Sequence, residues 1–86
     1  MHYTCPVCGF PDLDDPPRAE NGGGSYEICR SCGFEFGVTD DDLGITYEEW
    51  RERWIAAGRP WNGITIGPPS GWDPEAQLRK LLEKGK

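Results

Sequence analysis

Two stretches in the second half of the chain alternate apolar and polar residues with the period of an α-helix. The apolar side of the first stretch recurs every three or four positions: Tyr47, Trp50, Trp54 and Ala57. Thr46 and Glu49 have the spacing of a capping box, and Gly58 stands where such a helix would end. The pattern predicts a helix over residues 47–57, with its aromatic stripe packed in the core of the protein rather than on a partner.

The second helical stretch lies near the end of the chain. Asp73 is suited to the N-cap and Pro74 to the first helical position, so the helix is expected to run from there to about Lys84. Its apolar face is narrow and consists of Leu78, Leu81 and Leu82. Such a face can pack on Trp61 and Trp72 of the same chain or join two copies of it. A homodimer through the C-terminal helix is therefore an open alternative.

Residues 59–72, between these two helices, are rich in proline, glycine and tryptophan. Proline has no backbone N–H to donate in a sheet, and glycine has no side chain to pack there. This composition therefore predicts an extended strap rather than a regular element. Within the strap, the Ile-Thr-Ile run at residues 64–66 is the candidate for an edge strand.

The first half of the chain shows a shorter pattern with the period of a β-strand. Phe34, Phe36 and Val38 alternate with other residues, which predicts a short hairpin around the turn at residues 29–33, with these three side chains on its inner face. Residues 11–25 contain three prolines, three aspartates and a run of glycines, a composition typical of a loop.

The four cysteines of the chain all belong to two Cys-x-x-Cys-Gly motifs: Cys5, Cys8, Cys29 and Cys32. Two residues between thiolates allow one turn to present both sulfurs to a single ion, and Gly9 and Gly33 can adopt the positive φ that such a turn needs. Residues 9–28 separate the two pairs, a spacing typical of two-part zinc sites. The motifs predict one closed tetrahedral metal site, which is structural rather than catalytic.

Zinc is the expected ion in this site, and iron in a rubredoxin-like centre is the alternative, because four thiolates suit both metals. Disulfides or a redox dithiol are further alternatives. They are disfavoured because the two motifs form a matched pair and no strand-helix-strand context surrounds Cys5 and Cys8. His2 is the only histidine of the chain, and with four cysteines available it is expected to face solvent.

Composition favours a small domain that depends on its metal. The chain has 86 residues, of which 36% are hydrophobic, with 12 glycines and 8 prolines. So short a chain buries little apolar surface, whereas zinc held by thiolates contributes about 10 to 16 kcal/mol at neutral pH. We therefore expect one small α+β domain, with a zinc ribbon at residues 1–44 and the helix, strap and C-terminal helix of residues 45–86 packed on it.

The charge of the chain limits the classes of partner that it is expected to bind. The formal net charge is −6, and four thiolates with one dication change it by −4 + 2 = −2, so the loaded protein carries about −8. Such a charge repels phosphate backbones, which argues against nucleic-acid binding and favours a basic protein partner. The sequence has no apolar run long enough to span a membrane and no secretory signal, so a reducing cytoplasm is the expected location.

Two segments of the first half, residues 3–10 and residues 26–32, resemble the small bacterial cysteine-rich proteins of the CPCC type. The resemblance lies in the Cys-Pro opening of the first motif and in the Tyr-Glu-Ile-Cys approach to the second, whereas Val7 stands where that family has a third cysteine. Residues 58–61 and 68–78 are similar to the tail of uncharacterised bacterial relatives. The resemblance implies a metal-binding fold and no catalytic residue.

These patterns together indicate a zinc-binding, non-catalytic acidic module that interacts with another protein. An immunity or anti-toxin protein that neutralises a basic toxin is one concrete form of this hypothesis. The alternative is rubredoxin-like electron transfer by iron. An enzyme is not expected, because the single histidine lies near the terminus and no acid-base pair accompanies a nucleophile.

Overall fold

The computed structural model describes residues 2–84 and contains two helices within that range. Helix α1 comprises Tyr47–Ala56 and helix α2 comprises Pro74–Lys84. Both predicted helices are confirmed, except that Ala57 is the exposed C-cap of α1 instead of a core residue. The division of the chain into residues 1–44 and 45–86 stays a prediction, and its outermost residues 1, 85 and 86 lie outside the described range.

Helix α1 begins at the predicted capping box. The backbone N–H of Glu49 donates to Thr46 Oγ1 at 3.1 Å, and the N–H of Thr46 donates to Glu49 Oε1 at 3.3 Å. These two bonds satisfy donors that the first turn of a helix leaves free. On the inner face of α1, Trp54 is buried. The Trp50 and Phe34 rings pack in a T-shaped arrangement, with 6.0 Å between their centroids. The aromatic stripe therefore packs in the core, as predicted.

Helix α2 also begins as predicted. Asp73 Oδ1 accepts the backbone N–H groups of Glu75 and Ala76, both at 3.1 Å, so this carboxylate caps the first turn. Of the three leucines predicted to form its apolar face, Leu78 is buried, Leu81 is half-buried against the core, and Leu82 is 46% exposed. The face that α2 buries is therefore narrow, as predicted.

The predicted hairpin of the first half is not confirmed. Ile28 and Glu35 form an isolated antiparallel bridge, and no longer strand extends from it within the described residues. The ladder ends beside Tyr26, whose φ of +64° is strained for a residue with a side chain, and beside Gly37, whose φ is +102°. Both residues turn the chain out of the extended conformation, so the regular pairing ends there, although Gly24 still packs closely against Gly37.

The predicted inner face of that segment is nevertheless correct in part. Phe34 and Phe36 are fully buried, whereas Val38 is half-buried within a turn. A second isolated bridge joins Tyr3 to Leu13, so the predicted loop at residues 11–25 contributes one core side chain.

The predicted edge strand at residues 64–66 is wrong. These residues form a bend, in which the indole N–H of Trp61 donates to the Ile66 carbonyl at 2.8 Å. This carbonyl is thus paired with a side chain of the same strap rather than with a neighbouring strand. Ile64 is 98% exposed. The strap is held instead by aromatic contacts, since the Trp61 ring lies 5.5 Å from Phe10 and 5.1 Å from Trp72.

The core of the protein is centred on the cysteines. All four are buried, and the apolar side chains buried around them come from both halves of the chain: Val7, Phe10, Leu13, Phe34, Phe36, Trp54 and Leu78. The interior is therefore small and contains as its middle layer a group of polar, ionisable sulfur atoms. Neutral thiols are commonly buried, whereas their thiolate forms would be costly to bury without a compensating charge.

Candidate metal centre

The two Cys-x-x-Cys motifs fold into equivalent turns, the first knuckle (residues 5–10) and the second knuckle (residues 29–34). In the first, the N–H of Cys5 donates to the Phe10 carbonyl at 2.8 Å, and the N–H of Gly9 donates to the Cys5 carbonyl at 2.9 Å. The second knuckle repeats both bonds at its equivalent positions, at 2.9 and 2.8 Å. The same local sequence therefore builds the same turn twice.

A glycine ends each turn in a left-handed conformation. Gly9 has a φ of +86° and Gly33 a φ of +80°, a region that residues with a Cβ avoid. This conformation reverses the chain directly after the second cysteine of each pair. The prediction made for these two glycines is confirmed.

The four sulfur atoms meet between the two knuckles. Cys5 Sγ lies 3.8 Å from Cys32 Sγ, and Cys8 Sγ lies 3.6 Å from Cys29 Sγ, with all four sulfurs within 4.8 Å of one another. Metal–sulfur bonds of about 2.3 Å in a tetrahedron require sulfur–sulfur edges of about 3.8 Å. The cysteines are free thiols, and these separations far exceed the roughly 2.05 Å of a disulfide. The cluster therefore has the size of a site that can hold a metal ion.

The electrostatics of the cluster are compatible with a bound cation. Burial raises the pKa of Cys5, and hydrogen bonds with the neighbouring thiols raise the pKa of Cys32. Burial also acts to raise the pKa of Cys8, but hydrogen bonds from the other thiols and from Ser31 outweigh it and lower that pKa. Four thiolates cannot coexist in so small a buried volume unless a positive ion compensates them.

Side chains from the second half of the chain donate hydrogen bonds to backbone carbonyls of the first knuckle. Arg51 of α1 donates from Nε to the Val7 carbonyl at 2.7 Å and from Nη2 to the Pro6 carbonyl at 2.8 Å. Gln77 of α2 donates from Nε2 to the Cys8 carbonyl at 3.1 Å. Three successive carbonyls of the first knuckle are thus satisfied by two side chains.

Two other residues donate to the backbone carbonyls at the equivalent positions of the second knuckle. Asn62 of the strap donates from its backbone N–H to the Arg30 carbonyl at 2.7 Å and from Nδ2 to the Ser31 carbonyl at 2.8 Å. The indole N–H of Trp50 donates to the Cys32 carbonyl at 2.8 Å. Helix α1, the strap and α2 therefore form an outer shell around the cysteine cluster.

The outer-shell residues Arg51, Asn62 and Gln77 were not predicted from the sequence. Each is a polar residue in a segment with other polar residues, and its target lies more than 30 positions away in the chain. No local signal distinguishes it. The one available hint is chemical: Cys-x-x-Cys turns leave carbonyls unpaired, and buried carbonyls need donors.

His2 is exposed and does not belong to the cysteine cluster, as expected.

The carboxylates of the acidic run near residue 40 form ion pairs within the protein. Arg18 pairs with both Asp40 and Asp41, and its guanidinium lowers the pKa of the Asp41 carboxyl. Asp40 Oδ1 also accepts the N–H of Gly37 at 2.7 Å. These carboxylates stabilise a turn.

Comparison with known proteins gives two weak relatives. The chain is 29% identical to the uncharacterised protein YoaQ of Bacillus subtilis (strain 168) over an alignment of 70 positions, which covers 65% of this chain and 59% of the relative. It is 28% identical to the uncharacterised protein YozI of the same organism over 71 positions, with the same coverage. The chain thus spans about 59% of the length of these relatives.

No family model matches the chain, and no solved structure matches it. Membership of the CPCC type therefore stays a prediction. Among residues 2–84, neither helix has the length and apolar character needed to cross a bilayer.

Proposed function

We propose that the four cysteines bind one Zn²⁺ ion as a structural centre and that the ion holds the two knuckles together. The observation that carries this proposal is the packing of four free, fully buried thiols at the separations of a tetrahedral site. Zinc favours this arrangement because it has no preference for another geometry and binds thiolates strongly. The cluster offers four ligands and so leaves no position for a substrate, which supports a non-catalytic role.

Elemental analysis of the protein purified under reducing conditions tests this proposal. We expect one zinc per chain and a colourless protein. Iron in the same tetrathiolate is the second candidate, because its sulfur ligands and geometry suit both metals. A red preparation that contains one iron per chain after growth with equal amounts of both metals would favour rubredoxin-like electron transfer. Protein without any bound metal would overturn both candidates.

The zinc-stabilised module is proposed to bind a basic protein partner in the cytoplasm. Support comes from the distribution of charge around the chain. Several carboxylate residues are exposed: Asp12, Asp15, Glu20, Asp42 and Glu48. By contrast, three arginines are engaged within the protein, since Arg18 pairs with Asp40, Arg30 with Asp14, and Arg51 binds the first knuckle.

This arrangement leaves negative charge towards solvent, which steers and selects positively charged partners. Exposed apolar side chains such as Leu43, Ile64 and Ile66 supply contact area of the kind that interfaces use. An immunity or anti-toxin protein is the form of this function that the size and charge suit best.

Co-purification of the zinc-loaded chain from its native host tests the interaction. The expected result is a stoichiometric basic protein, released as the salt concentration rises. A variant with Asp12→Asn, Asp15→Asn and Glu20→Gln should weaken the complex, because three exposed carboxylates are neutralised. In the matched control, Arg53→Gln and Arg79→Gln remove two exposed positive charges and should preserve binding. Equal binding by the two variants would contradict the electrostatic proposal.

A further inference from the structure

Gln77 of α2 forms hydrogen bonds with both knuckles. Its Nε2 donates to the Cys8 carbonyl of the first knuckle at 3.1 Å and to the Ser31 hydroxyl of the second knuckle at 3.0 Å. Its Oε1 accepts the indole N–H of Trp72 at 2.9 Å. One amide group therefore links the two knuckles and the end of the strap. Its Nε2 donates to both knuckles, and its Oε1 accepts from Trp72.

Ser31 connects this amide to the sulfur cluster. The residue is fully buried and lies between Cys29 and Cys32 in the second knuckle. The neighbouring Ser31 side chain acts to lower the pKa of Cys8, a ligand candidate from the other knuckle. Because the hydroxyl accepts from Gln77, its single hydrogen is oriented away from that amide. A chain of hydrogen bonds thus runs from Trp72 through Gln77 to Ser31, in the turn that carries Cys29 and Cys32.

The backbone of α2 also lies close to the first knuckle. A Cβ atom at Gly9 would lie 2.5 Å from the Gln77 carbonyl oxygen and 3.1 Å from Leu81 Cβ. Leu78, the residue after Gln77 in the helix, is buried in the core that contains the cysteines. Only a glycine at position 9 permits this approach, so α2 is seated directly on the turn that carries Cys5 and Cys8.

We propose that Gln77 is a positioning residue of the metal centre, which orients both knuckles from outside the coordination sphere and makes the docking of α2 depend on the bound metal. The inference rests on the proposed metal binding. Outer-shell residues of metal sites typically contribute about 10-fold to 100-fold in metal affinity. Because coupling between two sites is reciprocal, a loss of metal weakens α2 docking by the same factor by which undocking weakens metal binding.

Gln77→Met tests this inference, because methionine retains the length of the side chain and removes its hydrogen bonds. In competition against a chromophoric chelator, we expect the variant of the full chain to bind Zn²⁺ about 10-fold more weakly than the wild type. Loaded with Co²⁺, it should show a shifted thiolate-to-cobalt charge-transfer band, since the two turns that hold the ligand sulfurs have lost their shared hydrogen-bond donor. Hydrogen exchange of the α2 amides should be faster in Zn²⁺-loaded Gln77→Met than in the loaded wild type.

Lys80→Met is the matched control, because Lys80 is an exposed residue of the same helix. It should retain the affinity, the cobalt spectrum and the protection of α2. Trp72→Phe keeps an aromatic ring beside Trp61 and removes the donor to Gln77 together with part of the indole, so its affinity should fall about threefold. This second variant gives a test even where Gln77→Met does not fold.

Two outcomes would overturn the inference in distinguishable ways. If Gln77→Met and Trp72→Phe both match Lys80→Met in affinity, spectrum and amide exchange, Gln77 has no positioning role although metal binding stands. If the wild-type chain binds neither Zn²⁺ nor Co²⁺, the proposed function itself fails and the inference fails with it.

Discussion

Arg51 and Val7 are joined by a hydrogen bond of 2.7 Å between the guanidinium Nε and the carbonyl oxygen, across 44 positions of sequence. The Nη2 of the same guanidinium reaches the carbonyl of Pro6 at 2.8 Å. The planar guanidinium has donors with the spacing needed to bind two successive carbonyls at once. This contact seats α1 on the first knuckle without a contribution from the cysteine side chains.

Replacing Arg51 by methionine should destabilise the zinc-loaded protein by about 2 to 3 kcal/mol, because two partly buried carbonyls lose a charged donor. Chemical denaturation of the loaded protein measures this loss. Arg53→Met, an exposed arginine of the same helix, is the control and should change the free energy of unfolding by about 0.5 kcal/mol or less. Equal effects of the two substitutions would show that the contact with the first knuckle is unimportant.

Gly9→Ala should be more harmful than the same substitution at Gly44. Both glycines have a positive φ, +86° and +70°, so each substitution incurs about 1 kcal/mol of backbone strain. At Gly9 the new methyl group would also meet the Gln77 carbonyl at 2.5 Å, whereas at Gly44 no atom of the described residues, apart from its chain neighbours, lies within 4 Å. Thermal denaturation and hydrogen exchange of α2 should report the difference. Similar losses at both positions would contradict the close approach of α2 to the first knuckle.

Thr46→Ala should lower the free energy of unfolding by about 1 kcal/mol, because the N–H of Glu49 loses its capping acceptor. Thr46→Ser keeps the hydroxyl and should recover most of this loss. Thr65→Ala, in the exposed bend of the strap, is the control and should have little effect. The capping role would be refuted by a serine variant as unstable as the alanine variant.

Removal of the metal under reducing conditions should unfold the protein. Bound zinc contributes about 10 to 16 kcal/mol, as much as or more than the 5 to 15 kcal/mol net stability of a typical domain. The near-ultraviolet circular dichroism of the tryptophans should collapse on chelation and return when Zn²⁺ is added. Trp50 is a direct reporter, since its indole binds the Cys32 carbonyl. An unchanged spectrum after complete metal removal would contradict a metal-dependent core.

Local signals in the sequence were sufficient for the elements that depend on neighbouring residues. The capping box at Thr46, the Asp73 N-cap and the glycines after each cysteine pair act within one turn of chain, so their spacing alone predicts the structure. The clustering of the four cysteines could also be predicted, because an ion of fixed geometry accepts few alternative arrangements.

The predictions that the structure does not confirm are those in which a short pattern was read as a strand. A strand requires a partner to satisfy its backbone, and two isoleucines at residues 64 and 66 do not specify one. The indole of Trp61 binds the Ile66 carbonyl instead. Near the second knuckle, the left-handed conformation of Tyr26 ends the pairing, and no sequence rule anticipates that a tyrosine adopts it.

By itself, the sequence determined two capped helices and two cysteine turns that can share one ion. Only the tertiary structure decided which side chains satisfy those turns, since Arg51, Asn62 and Gln77 reach carbonyls 31 to 69 positions away. A hydrogen bond between distant residues has no period and no fixed spacing in the sequence. It is determined by how the helices and the strap pack around the cysteines, and that packing depends on all of the contacts together.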